Sequence, residues 1–336
     1  MKHILVVFTG GTIGSLAVNG TINTNGQAAY QLISLYKQHN NEKYEIDFTC
    51  ISPLQVLSEN LAPEAWEVLI AAIEAAKPTL YDGIIVTHGT DTLAFTAAAL
   101  SLYFNAIAIP VLLVSSDYPL AHANANGLEN FICAVEFICQ NKAHGVFVPY
   151  TNRKQGMQIH HGARLASSLQ LSGDFISVQN QPYCTYEKGQ FSEASAIAKR
   201  NPVNLSATFS QRILLIKPYP GLEYNYFNLD AVDIVLHDLY HSGTACSSLQ
   251  WGQQYALTDF IQQCQKRDIK VYLAPALKSD SAYESTRTLL EAGAEMLWNM
   301  SLEATYAKLL LAYGNFAEVG QRQAFLCQDI SGEMVV

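Results

Sequence analysis

Charge is scarce in this chain, and positive charge scarcest. Of 336 residues only 15% are charged, 20 basic against 29 acidic, for a net charge of −9. Lysine and arginine form no cluster, which argues against nucleic acid or an anionic membrane surface as the partner. Cysteine is present seven times (Cys50, Cys133, Cys139, Cys184, Cys246, Cys264, Cys327) but in an odd number, scattered and without Cys-x-x-Cys. A disulfide framework is not expected, and a reducing compartment fits better. No run approaches the ~18 apolar residues of a membrane span. The first strand breaks at glycines too early for a signal segment. A cytoplasmic protein is expected.

Several catalytic signatures are missing as well. The early glycines run Gly10, Gly11, Gly14, so the G-x-G-x-x-G dinucleotide fingerprint is not met, and no Gly-Lys-Ser/Thr marks a P-loop. The G-x-S-x-G elbow of serine hydrolases is absent. His237 and His241 have i, i+4 spacing but no glutamate after the first, so the H-E-x-x-H logic fails. Neither a metal nor a cofactor is expected.

Hydrophobic residues make up 49% of the chain, enough for a sizeable core. The length is a soft prior for two domains. Strand-like runs at 44–51, 83–87, 111–115 and 146–149 alternate with helical patterns at 27–38, 63–76, 93–104 and 128–140. Such alternation predicts a doubly wound, mostly parallel sheet. The pattern loosens from Arg153 to about Gln211. A second alternation follows, with strands at 213–216, 232–236 and 270–273 and helices near Tyr226 and at 255–266, 283–292 and 302–312. The expected class is α/β, with a larger N-terminal domain at 1–195, a linker at 196–211 and a smaller α/β domain at 212–336.

The stretch that organises the chain is Ile4-Leu5-Val6-Val7-Phe8 running into Thr9-Gly10-Gly11-Thr12-Ile13-Gly14. Five consecutive apolar residues read as a strand buried on both faces. Its glycines must turn sharply, delivering Thr12 to the carboxyl end of the strand, where open α/β sheets bind ligands. Gly83-Ile84-Ile85-Val86-Thr87 repeats the construction and ends in His88-Gly89-Thr90-Asp91-Thr92. The plainer alternatives are a tight turn satisfied by its own threonines and a helix cap at Asp91. Two buried strands that both deliver Gly-Thr to one sheet edge favour a hydroxyl-based active site. A threonine nucleophile needs a base or proton path nearby, and Thr90-Asp91 is a plausible neighbour.

Thr-Gly-Gly-Thr-Ile-Gly at 9–14 and His-Gly-Thr-Asp-Thr at 88–92 resemble the two signature motifs of bacterial asparaginases, closest to the cytoplasmic type I enzymes. Ser58-Glu59-Asn60-Leu61-Ala62-Pro63-Glu64-Ala65-Trp66 resembles that family's substrate-binding loop, and Ser115-Ser116-Asp117-Tyr118-Pro119-Leu120 its Gly-Ser-Gln-x-Pro-Leu. Tyr219-Pro220-Gly221 and Tyr240-His241-Ser242-Gly243-Thr244-Ala245 also resemble its C-terminal pattern, so the likeness covers nearly the whole chain.

The resemblance implies an L-asparagine amidohydrolase that forms an acyl-enzyme on Thr12 and works without cofactor. Thr90 would orient water or share in proton transfer, and Asp91 would bind the substrate ammonium. Ser58 would bind the α-carboxylate, and Glu59 falls where the family contacts the amino group. Gly11, Gly89 and Ser116 belong to the implied binding set. The family forms homodimers or homotetramers.

Three positions depart from the family. Its catalytic lysine aligns on His161, or on Arg164 in a looser alignment. Histidine could act as a base and would set an acid limb near ~6.5, whereas arginine could not. The lid tyrosine falls at Thr21, with Tyr30 a conceivable substitute. Thr244 stands where the family places an asparagine. The alternatives are therefore an asparaginase-fold protein that binds an amino acid with little turnover, or an amidase for glutamine or D-asparagine.

Overall fold

The computed structural model describes residues 1–18, 21–24, 26–39, 43–197 and 201–336, with side chains omitted for 15–30. The chain divides into two compact units. One is Met1–Ala207 with Asp329–Gly332, the other Thr208–Gln328 with Glu333–Val336.

The first unit carries strands β1 (Lys2–Phe8), β2 (Ser15–Val18), β3 (Thr21–Thr24), β4 (Ile46–Ile51), β5 (Gly83–Thr87), β6 (Pro110–Val114), β7 (Gly145–Asn152), β8 (Gly156–His161), β9 (Cys184–Glu187) and β10 (Gln190–Phe191). Its helices are α1 (Gly26–His39), α2 (Pro63–Ala75), α3 (Leu93–Tyr103) and α4 (Gly127–Cys139). Eight strands form one sheet in the order β10-β9-β8-β7-β6-β5-β1-β4, while β2 and β3 pair as a separate hairpin. From β7 to β4 all neighbours are parallel, and β8, β9 and β10 extend the sheet in antiparallel fashion.

The apolar run of β1 is what a strand covered on both faces requires. Ile4, Leu5, Val6 and Val7 have no exposed surface, and neither do Ile84, Ile85 and Val86 on β5. Burying each such side chain stabilises by about 1.5–3 kcal/mol. Ile4, Val6, Phe8, Ile85, Leu112 and Phe147 face α1 and α4 in one core. The opposite face packs on α2 and α3, which are pinned together by the Trp66 Nε1–H donating to Thr96 Oγ1 at 2.9 Å.

The steps β5–α3–β6 and β6–α4–β7 run the same way across the sheet yet place their helices on opposite faces. They therefore differ in hand. The first agrees with the positions of α1 and α2, so β6–α4–β7 is a left-handed crossover, a rare departure from the right-handed rule. The turnaround lies between β1 and β5. The chain leaves β1 for β4 on one side and β5 for β6 on the other. That crevice is the topological switch point of the sheet.

The second unit is a four-stranded parallel sheet, β11 (Ile213–Ile216), β12 (Ile234–Asp238), β13 (Lys270–Ala274) and β14 (Glu295–Met296), in sequential order. Helices α5 (Leu257–Gln265), α6 (Glu284–Glu291), α7 (Leu302–Asn315) and α8 (Val319–Cys327) complete it. Near Tyr226 the expected helix is only a three-residue 3-10 turn, Tyr224–Tyr226. Strands β8 to β10, β14 and helix α8 give too little periodicity to read from sequence.

Candidate active site

Strands β1 and β5 are in parallel register, Ile4 opposite Gly83 and Phe8 opposite Thr87, so their glycine turns leave the sheet at the same level. Thr9 fastens them, its Oγ1–H donating to Thr87 O at 2.6 Å and its N–H to Thr87 Oγ1 at 3.4 Å. Beyond that clasp the two turns touch. Gly11 has φ +72°, and a β-carbon there would lie 2.3 Å from the Gly89 nitrogen and 2.6 Å from its α-carbon. Only glycine allows both the backbone conformation and the approach. Thr12 directly follows one of these glycines and Thr90 the other, and both threonines are half-buried. Thr12 opens a 3-10 turn, Thr12–Gly14, closed by Gly14 N–H donating to Gly11 O at 3.0 Å.

A third segment completes the edge. Val56 bridges to Gly10 in parallel, its N–H donating to Thr9 O at 2.9 Å and its carbonyl accepting from Gly11 N–H at 3.1 Å. This holds the following 3-10 turn, Ser58–Asn60, against the second glycine turn. Ser58 Oγ accepts the Asp91 N–H at 3.2 Å and lies 3.4 Å from Asp91 Oδ2. Thr92 Oγ1–H donates to Ser58 O at 3.0 Å. A β-carbon on Gly89 would meet Ser58 Oγ at 2.4 Å, so the serine presses on that glycine as well. Asp91 itself is exposed, a carboxylate at the mouth of the crevice. Its side chain caps nothing, since the N-cap of α3 is Thr92 without a side-chain cap bond.

His88 lies beneath this surface. Its Nδ1–H donates to Gly89 O at 2.7 Å, and desolvation lowers its pKa to about 4, so the ring is neutral at pH 7. The sequence assigns no role to Val56, Thr87 or His88, although His88 opens the 88–92 signature. The available signal for Thr87 and His88 was their place at the strand end, whereas Val56 is brought in by tertiary pairing.

The remaining expected residues are distributed differently. Ser116 is buried at the end of β6 with its hydroxyl committed locally, Oγ–H donating to Tyr118 O at 2.6 Å and Oγ accepting from Gly127 N–H at 3.1 Å. Glu59 is exposed within the Ser58–Asn60 turn. Thr21 begins β3 opposite Val18, and its side chain, like that of Tyr30, lies outside the described residues. Thr244 belongs to the second unit, where it bridges to Tyr240.

His161 is not brought to the carboxyl edge. It ends β8 opposite Phe147, which is level with Leu112 and, through it, with Ile85. Three strand spacings separate it from β5, roughly 14 Å across the sheet, and it lies roughly 13 Å below Gly89 along the strand direction. The physical reason is the antiparallel sense of β8, which starts at the carboxyl edge and carries its last residue away from it. The ring is buried edge-on against Phe147. Arg164 follows in the 3-10 turn Gly162–Arg164, its Nε–H donating to Gly332 O at 2.5 Å.

Comparison with known proteins agrees with this architecture. Residues 3–195 match the family model described as Asparaginase, N-terminal. A curated relative, a glutamyl-tRNA(Gln) amidotransferase subunit from Metallosphaera sedula, is 27% identical over 303 residues, covering 83% of this chain and 65% of its own length. The chain thus spans just under two thirds of that relative. Among solved structures, the thermostable L-asparaginase from Thermococcus kodakarensis superposes with a TM-score of 0.82 at 24% identity, covering 99% of both chains. L-asparaginase I from Vibrio cholerae gives 0.75 at 24% identity, over 100% of this chain and 99% of the other. With its glycine turns meeting at the switch point, this chain belongs to the asparaginase family.

Proposed function

We propose that this protein hydrolyses the side-chain amide of L-asparagine to L-aspartate and ammonia. The observation that carries the reading is the Gly11–Gly89 contact, which sets a threonine on each side of one crevice. Thr12 Oγ bonds to the amide carbon, and its proton passes by way of Thr90 to the leaving nitrogen. The C–N bond of the tetrahedral adduct then breaks, ammonia departs and an ester is left on Thr12, and water releases the acid from that ester and restores the threonine. Asp91 receives the α-ammonium and Ser58 the α-carboxylate, with Glu59 near the amino group. The backbone N–H of Thr90, with N–H groups near Gly11, stabilises the oxygen that becomes negative; the Gly11 N–H itself is committed to Val56 O. His161 is left out of this machinery because of its place in the ladder. The working form we propose is a cytoplasmic homodimer or homotetramer. No helix among the described residues is long and apolar enough to cross a membrane.

A second reading is favoured by the M. sedula relative, whose name makes it part of a transferase of amide nitrogen. In that reading the same threonine chemistry liberates ammonia for a partner. The deciding measurement is ammonia release from L-asparagine, L-glutamine and D-asparagine by the purified chain and by Thr12→Ala. Turnover of L-asparagine alone, lost in the variant, supports the first reading, and a preference for glutamine supports the second. No release from any amide, with asparagine still raising the melting temperature, would make the protein a binder.

A further inference from the structure

His88 takes no step in the hydrolysis proposed above, yet it is the most enclosed polar ring beside the site, 1% exposed. Its Nδ1 lies 2.7 Å from Gly89 O. A carbonyl only accepts, so Nδ1 carries the ring proton, and Nε2 is a bare lone pair with no hydrogen-bond partner among the described residues. Among the described residues the ring makes one hydrogen bond, and it goes to the backbone of the glycine turn.

That connection has a directional consequence. A peptide unit is planar and trans, so its C=O and N–H point opposite ways. Anchoring Gly89 O on a buried imidazole turns the Thr90 N–H away from the interior, toward the carboxyl edge that holds Gly11 and Thr12. The neighbouring amides are already used: His88 N–H donates to Val114 O at 2.9 Å, and Asp91 N–H to Ser58 Oγ at 3.2 Å. The Thr90 N–H has no acceptor among the described residues. Position 89 must be glycine because a β-carbon would strike Ser58, and a glycine peptide is the easiest to reorient. Some other group must therefore hold its direction.

We infer that His88 is a positioning residue whose Nδ1–H fixes the Gly89–Thr90 peptide so that the Thr90 N–H faces the oxygen of the attacked carbonyl. The inference rests on the amide-hydrolysis reading. When Thr12 Oγ bonds to the carbonyl carbon, the carbonyl π electrons move onto oxygen, and a preset N–H meets that charge without reorganising.

Two variants separate this from a merely structural role. In His88→Asn the Nδ2–H occupies the place of Nδ1–H, whereas in His88→Gln the donor falls at the Nε2 position. His88→Gln should lose ~10²-fold in kcat, as expected for removal of one oxyanion donor, with KM little changed. His88→Asn should recover most of that loss. If His88→Gln matches the wild-type kcat, or His88→Asn is as slow as His88→Gln, the inference fails while hydrolysis stands. If the wild type releases no ammonia from any amide, both fall together. Should His88→Gln not fold, His88→Asn decides alone: a ~10²-fold loss in kcat at unchanged KM and melting temperature overturns the inference.

Discussion

Gly11 and Gly89 meet backbone to backbone, so closely that a β-carbon on the first would sit 2.3 Å from the nitrogen of the second. The two loops cannot separate without opening the crevice between β1 and β5, and a side chain cannot be inserted without forcing them apart. Gly11→Ala should destabilise the first unit by about 1–3 kcal/mol from overpacking, on top of the strain of φ +72°. Thermal melting with ammonia release checks this, and a variant as stable and active as wild type would show that the turns yield freely.

Thr12→Ala should reduce ammonia release to background while leaving the melting temperature within a few degrees, because the side chain is half-buried and outside the core. Thr12→Ser keeps the hydroxyl and should keep part of the rate. Equal loss in both would argue that the hydroxyl is not the nucleophile.

Ser58→Ala removes the acceptor of the Asp91 N–H and the contact to its carboxylate. We expect a cost of about 1 kcal/mol in stability, together with a raised KM as Asp91 loses its fixed position. Steady-state kinetics with L-asparagine would read it, and an unchanged KM would separate Ser58 from substrate binding.

Three buried histidines set an acid limit on the fold. Desolvation lowers His88 to about 4, His160 to about 3 and His237 to about 4, against ~6.5 in the unfolded chain. Between these values the unfolded chain binds more protons, so stability is full above ~6.5 and drains as pH falls toward the folded values. Each histidine contributes a slope of at most about 1.4 kcal/mol per pH unit. His160→Asn should flatten the acid side of a stability-against-pH curve, and an identical slope would show that His160 gains no proton on unfolding.

Lys308 and Glu333 form a fully buried ion pair at 2.5 Å in the second unit, holding the tail after Gly332 against α7. Lys308→Met leaves the glutamate buried without its charge partner and should cost about 3–5 kcal/mol, whereas adding Glu333→Leu should restore much of that. Chemical denaturation of the two variants tests it, and a double variant no better than the single one would show that the pair itself is indispensable.

The strand-end signals were legible because they are local. Five apolar residues stopped by Gly10-Gly11, and the same at Gly83–Thr87 before Gly89, state a buried parallel strand and a turn in the sequence itself. The placement of His161 was not legible. Its distance from the edge depends on β8 running antiparallel to β7, and the short run Gly156–His161 is too brief for its own pattern to state that pairing. The expectation drawn from alignment thus put a base where the ladder puts a buried ring against Phe147.

By itself the sequence determined the two α/β alternations, the strands that must be buried on both faces, and the glycine-threonine turns at their ends, because hydrophobic period and backbone permissiveness act within a few residues. Tertiary structure alone decided that Gly11 would touch Gly89, that Val56 would join them and that the Glu333 segment would return to pair with Lys308. Those contacts join residues far apart in the chain, and their geometry is set by strand order, register and the left-handed step at α4, which no local stretch of sequence contains.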